Sequence, residues 1–204
     1  MFLFPSHPSA VINKRWKAIF AVCVLFALGS CGITALFPFE YRADAQVLII
    51  SKSRYGVDPY TVVKSAERVG ENIAEVMKTD DFFEKVTLLR QYPFDRSVFE
   101  EVSPRVRRRR WQKAVSASVV YGTGVLNVGA YGRTPKAAVD LAGAVVETLE
   151  TKGWEYVGGD VTIRAVNHPA ATRFPARPNI FLNTFFGFLA GLLLMGTLVF
   201  RRYA

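Results

Sequence analysis

The apolar positions of this chain form two unbroken blocks, with patterned sequence between them. From Lys17 to Glu40 the intervening AIFAVCVLFALGSCGITALFPF holds 22 uncharged residues, and from Arg177 to Arg201 there are 23 more. A helix advances about 1.5 Å per residue, so roughly 20 apolar residues cross about 30 Å of hydrocarbon. Transmembrane helices are therefore expected over 18–38 and 179–200. For the first block a cleaved leader is the alternative: NKRWK would be its basic region, and LGSC (Leu28 to Cys31) loosely matches a lipoprotein cleavage box. The sequence GITALFPF stays apolar past Cys31, where a lipoprotein continues into a polar tether, so a retained helix is the reading adopted.

Between the spans the pattern changes from block to period. Tyr41, Ala43, Ala45, Val47 and Ile49 alternate with polar residues before the stretch becomes apolar throughout to Ile50, a strand signal. Asp58 and Pro59 read as the cap and first residue of a helix whose apolar stripe is Val62, Ala66, Val69, Ile73 and Met77. A short helix restarts at Thr79 or Asp80, with Phe82, Val86 and Leu89 inward. Asp95 to Trp111 is expected to be helical, broken or kinked near Pro104. Ala114 to Gly132 reads as a β-hairpin with Gly122 and Gly124 in its turn; a phosphate loop would need a following helix and a third glycine. Thr134 then caps a helix with a wide apolar face of Ala138, Leu141, Ala142, Val145, Val146 and Leu149, and Asp160 to Val166 forms the last strand. The fold class expected is α/β: two transmembrane helices bracketing one exported domain, a small mixed sheet packed by helices.

Charge sets the topology. Five of the 26 basic residues, Lys14, Arg15, Lys17, Arg201 and Arg202, flank the outer sides of the spans, leaving 21 basic against all 17 acidic residues between them. By the positive-inside rule both termini are cytoplasmic and 39–178 is exported (periplasmic). The organisation expected is a cytoplasmic N-terminus (1–17), first span (18–38), exported domain (39–178), second span (179–200) and cytoplasmic tail (201–204). A basic balance in an exported domain does not indicate nucleic acid. Cys23 and Cys31 both lie in the first span, so no disulfide frames the exported domain.

Catalytic constellations are missing from the pattern. Of the two histidines, His7 is placed in the cytoplasm and His168 in a proline-bounded linker, and no metal-ligand spacing, nucleophile elbow or Walker loop occurs. No enzyme activity, cofactor or metal is expected. The spans carry more. Ala27, Ser30, Cys31, Thr34 and Ala35 make a small-residue face on the first, and Asn183, Gly187 and Gly191 one on the second, at matched depth. Such seams let helix backbones approach, so Ala27, Cys31, Ala35, Asn183, Gly187 and Gly191 are candidates for helix packing and oligomerisation. In His168 to Pro178, Pro169, Pro175 and Pro178 favour a stiff extended connector, with Pro178 placed to start the second span.

This order of a short N-terminus, span, exported α/β domain, proline segment, glycine-spaced span and short tail resembles the polysaccharide co-polymerases, the Wzz-type chain-length determinants. The segment from His168 to Asn179 with Gly187 and Gly191 is similar to that family's proline-rich C-terminal motif. YRADAQVLI, IAEVMKTDDFFEKV and GRTPKAAVDLAGAVVETL are similar to its membrane-proximal domain. The resemblance implies an inner-membrane homo-oligomer assisting assembly and chain-length control of a surface polysaccharide (lipopolysaccharide O-antigen, capsule or exopolysaccharide). Its implied partners are a polysaccharide polymerase and lipid-linked polysaccharide, with no nucleic acid. The alternative is a membrane adaptor that recruits or activates a separate tyrosine kinase or an export transporter. Only Arg90 to Ala114 is available for the long helical arm of typical members, and no fused kinase is expected after Ala204. Within that short region Arg107, Arg108, Arg109 and Arg110 are candidates for contact with anionic polymer, lipid-linked pyrophosphate or head groups. A solvated helix face, or an inter-subunit salt-bridge strip with the Glu100 and Glu101 region, is the competing account.

Overall fold

A computed structural model describes residues 8–51, 58–100, 102–158 and 161–203. His7, Glu101, Asp160 and Ala204, which enter the expectations above, lie outside the described residues. The chain divides into two compact units, one of Met1–Phe39 with Arg177–Ala204, the other Glu40–Ala176.

The first unit is a helix pair, α1 (Pro8–Ala35) and α8 (Ile180–Tyr203). Their apolar stretches Trp16–Ala35 and Ile180–Leu198 are long enough to cross a membrane. Only 11% and 6% of these windows is buried, whereas the core helix of a soluble protein is mostly buried.

The second unit holds β1 (Tyr41–Ser51), α2 (Pro59–Val76), α3 (Asp80–Leu88), α4 (Ser97–Glu100), α5 (Pro104–Ala114), β2 (Val115–Val120), β3 (Val125–Gly132), α6 (Pro135–Lys152), α7 (Trp154–Val157) and β4 (Val161–Ala171). Asp58 stands at the N-cap position of α2 but its side chain makes no capping bond, whereas the other expected caps are in place. The Thr79 side chain accepts from the amide of Phe82 at 3.3 Å, and that of Thr134 from the amide of Ala137 at 3.1 Å. Prolines occupy the first turns of α2, α5 and α6, where the missing amide is not needed. Gly122 and Gly124, at φ 80° and 67°, close the β2–β3 hairpin in a left-handed conformation that a side chain resists.

The fold class stands, with one correction to the sheet. Its strand order is β2-β3-β1-β4, and every neighbouring pair is antiparallel rather than mixed. The helical connections explain this: β1 to β2 skips over β3, and β3 to α6 to β4 skips over β1, so strands that run parallel are never neighbours. Ala43, Ala45, Val47 and Ile49 of β1 and Leu126, Val128 and Ala130 of β3 turn one face of the sheet to the core. Ala66, Ile73 and Met77 from the α2 end and Ala138, Leu141, Ala142, Val145 and Leu149 of α6 complete that core.

The last strand is longer than expected and takes in part of the proposed connector. It continues through His168 and Pro169 to Ala171. β4 is an edge strand, and its pairing with β1 slips on both sides of Gln46, so that Asp44 faces Ala170, Gln46 faces Asn167 and Val47 faces Ala165. Edge positions and bulges are where a sheet tolerates proline, which explains how Pro169 stays within the strand.

Candidate functional site

The arginine run lies on α5, and Trp111 fixes how that helix is turned. Its ring is 1% exposed and its Nε1 donates to the carbonyl oxygen of Met77 at 2.7 Å. The rings of Phe83 and Phe99 stand 5.1 and 5.9 Å from it, centroid to centroid. With Trp111 inward, the four arginines separate into different roles. Arg107 lies inward: its guanidinium sits 5.4 Å from the centre of the Phe83 ring and 3.9 Å from Glu84. Arg108 binds Asp80 through Nε at 3.0 Å and through Nη2. That hydrogen bonding holds the Asp80 carboxyl below its usual range. Arg110 donates through Nη1 to the carbonyl oxygen of Val98 at 2.6 Å.

Arg109 remains outward, and sequence reasoning omitted its companion Arg105. Arg105, Arg108, Arg109 and Gln112 are spaced i, i+3, i+4 and i+7, one face of a helix. With Pro104 they line a shallow recess of about 360 Å³. Helical spacing counted outward from an inward Trp111 could have identified this set. The candidate salt-bridge strip with Glu101 falls outside the described residues.

In the helix pair, Gly187 and Gly191 of α8 sit where no side chain fits. A Cβ on Gly187 would come within 2.6 Å of Ser30 Cβ and 2.8 Å of the Phe26 carbonyl oxygen. One on Gly191 would lie 2.9 Å from Cys23 Cα and 3.1 Å from Phe26 Cβ. Polar contacts continue the seam: Ser30 Oγ donates to the carbonyl oxygen of Asn183 at 2.8 Å, and Asn183 Nδ2 donates to Thr34 Oγ1 at 3.2 Å. The seam expected from small residues is thus closed between two helices of one chain. Ala27 and Cys31 are half-buried, while Ala35 is exposed. Phe26 was absent from the expected face because its large side chain does not mark it as a seam residue; Cys23, which continues the small-residue spacing four residues before Ala27, was omitted although type and spacing pointed to it.

The proline segment is attached to the sheet for much of its length. The amide of Thr172 donates to the carbonyl oxygen of Arg42 at 2.7 Å, and the amide of Ala176 to that of Glu40 at 2.7 Å. Pro178 does not begin α8: Asn179 precedes the helix and its side-chain oxygen accepts from the amide of Leu182 at 3.1 Å. Pro175 lies between the two anchored amides.

Among the described residues no group of three or more His, Cys, Asp or Glu is placed to hold a metal ion. His168 is exposed on β4. The titratable groups shifted from their usual values belong to clusters that join elements of the fold. Lys85 is raised mainly by its hydrogen bond to Glu155, 2.7 Å away, and also lies against Asp81 and the Tyr156 ring, tying α3 to α7. Tyr92 is pushed up to about 12 by burial and by donating to Glu147 of α6 at 2.8 Å.

No curated protein matches this chain. A family model described as Wzz, chain length determinant protein, matches residues 9–88. The matched stretch runs from α1 through β1 and α2 to the end of α3, and stops before α5 and its arginines. The match over residues 9–88 is consistent with a Wzz-type polysaccharide co-polymerase.

Proposed function

We propose that this chain is an inner-membrane polysaccharide co-polymerase that assists assembly of a surface polysaccharide and regulates its length without performing bond chemistry. The match of residues 9–88 to the Wzz chain length determinant model carries the reading. The two apolar helices and the Wzz match support an inner-membrane protein. Both termini lie in the cytoplasm and the sheet domain in the periplasm, in keeping with the basic residues at the outer ends of the spans. The protein works as a homo-oligomer beside a membrane polymerase. Several copies of a weak polymer-binding surface then raise the effective concentration of binding sites around the growing chain and prolong its contact with the assembly. Gly187 and Gly191 pack against α1 within one chain, and we assign the subunit contacts to other surfaces.

Deleting the gene is expected to shift the size distribution or the amount of the polymer, seen by gel electrophoresis and size-exclusion chromatography, with sugar composition intact. Unaltered length together with unaltered yield would refute the assignment.

A further inference from the structure

The outward face of α5 carries charge that the fold does not use. Arg105 and Arg109 are exposed, and neither has an ion-pair or hydrogen-bond partner among the described residues. They are four residues apart on one helix, so two like charges face each other where repulsion destabilises the helix. Arg105 also lies in a first turn without an acidic residue, and the Ser103 side chain makes no capping bond there, so a cation sits at the positive end of the helix dipole. A bound anion relieves both costs.

We propose that Arg105, Arg108, Arg109 and Gln112 form a docking strip for an acidic polysaccharide, whose carboxylate-bearing sugars lie along α5. This rests on the co-polymerase reading and gives its polymer contact a place and a charge. Each guanidinium is a planar fork that matches a carboxylate with two parallel hydrogen bonds. Arg105 and Arg109 stand about 6 Å apart along the helix axis, at 1.5 Å per residue, a spacing comparable to the advance of a glycan by one sugar. The residues lining the open recess run from Pro104 to Gln112 along α5, which suits a passing polymer better than one compact anion. Gln112 adds an amide able to donate to and accept from hydroxyls, and Arg108 reaches the strip while retaining Asp80. The support is rigid: Trp111, one residue before Gln112, is locked to Met77 and the Phe83–Phe99 pair, so little ordering is required on binding.

The test uses the full chain in nanodiscs of zwitterionic lipid, with fluorescently labelled oligogalacturonate as the acidic probe and a dextran oligomer of equal length as the neutral one. The wild-type protein is expected to bind oligogalacturonate, more weakly as salt rises, and to ignore dextran. Replacing Arg105→Gln with Arg109→Gln is expected to weaken binding by about tenfold, the loss of two exposed pairs. Arg133→Gln with Lys136→Gln removes the same charge at exposed positions of another region and should change binding less than about twofold, within the scatter of surface substitutions. If the first pair disturbs folding, Arg105→Lys with Arg109→Lys keeps the charge, and loss of the fork should weaken binding while preserving its salt dependence. Absence of oligogalacturonate binding, equal binding of dextran, equal losses in the two charge-removing pairs, or binding only to anionic-lipid nanodiscs would each overturn the proposal. Gene deletion separates the two readings. A changed polymer length without acidic-oligomer binding removes only the strip, and intact binding without any change in polymer removes only the co-polymerase role.

Discussion

Asn183 Nδ2 donates to Thr34 Oγ1 at 3.2 Å, and the carbonyl oxygen of the same Asn183 accepts from Ser30 Oγ at 2.8 Å. A single polar residue of α8 is therefore bonded twice to α1, beside a stretch where Gly187 and Gly191 bring the backbones close. In hydrocarbon these bonds and this packing substitute for the hydrophobic drive available in water.

The first prediction follows from that seam. Gly187→Leu or Gly191→Leu would force a side chain into space already held by Ser30, Phe26 and Cys23, at a cost of about 1–3 kcal/mol. Asn183→Leu, which removes one interhelical side-chain bond, is expected to cost about 0.6 kcal/mol. Resistance of the purified chain to SDS unfolding should fall in that order. A smaller assembly from chains of unchanged stability would show instead that the glycines serve contacts between subunits.

A second prediction concerns the anchor of α5. Trp111→Ala empties a site bounded by Phe83 and Phe99 and should destabilise the sheet domain by about 3–5 kcal/mol. Trp111→Phe keeps most of the ring but leaves the Met77 carbonyl without its donor, costing about 1–3 kcal/mol. Urea unfolding followed by circular dichroism in detergent checks both, and a Trp111→Phe variant as stable as the wild-type protein would deny the hydrogen bond a separate contribution.

The extent to which this structure was legible depended on the range of the interaction. Thr79, Thr134, Gly122 and Gly124 act on neighbours within a few residues, so their roles could be read from the sequence. The apolar stripes of α2 and α6 were legible for the same reason, because a period of 3.6 is a local property. Four-residue α7 has no stripe to read. The antiparallel order, the passage of β4 through Pro169 and the hydrogen bond from Trp111 to Met77 depend on partners distant in sequence. The arginines show the difference most directly: the run stood out as composition, but its division into Asp80-bound, Val98-bound and outward members required the position of α3 and α4.

A third prediction follows from Glu67, which lies under the hairpin turn. Its carboxylate is buried, accepts from the amide of Gly122 and pairs with Lys64 at 3.1 Å. The Gly122 hydrogen bond, and after it Lys64, holds its pKa below the ordinary glutamate value. A folded pKa below the unfolded one means that the contribution is complete above the free glutamate range, about pH 4.3, and is lost as pH falls through the depressed folded value. Amide exchange at Gly122, corrected for intrinsic rates, should accelerate across that acid window, and Glu67→Gln should abolish the dependence. A pH-independent turn in the wild-type protein would contradict this role.

The last prediction is topological. Asn183 meets Thr34 and Ser30, Gly187 meets Ser30, and Gly191 meets Phe26 and Cys23, so rising numbers on α8 match falling numbers on α1. The two helices are therefore antiparallel, and continuing the match by further turns brings Arg201 and Arg202 to the same end of the pair as Lys14, Arg15 and Lys17. Five basic residues at one end of two apolar helices are expected on the cytoplasmic side by the positive-inside rule. In a variant with Cys23→Ala and Cys31→Ala, single cysteines introduced at Ser6 or Ala204 should react with a membrane-impermeant maleimide only after the inner membrane is opened. A cysteine at exposed Arg133, in the sheet domain, should react once the outer barrier alone is permeable. Labelling of Ser6 and Ala204 on opposite sides would break the hairpin arrangement, and labelling of both from the periplasm would invert it.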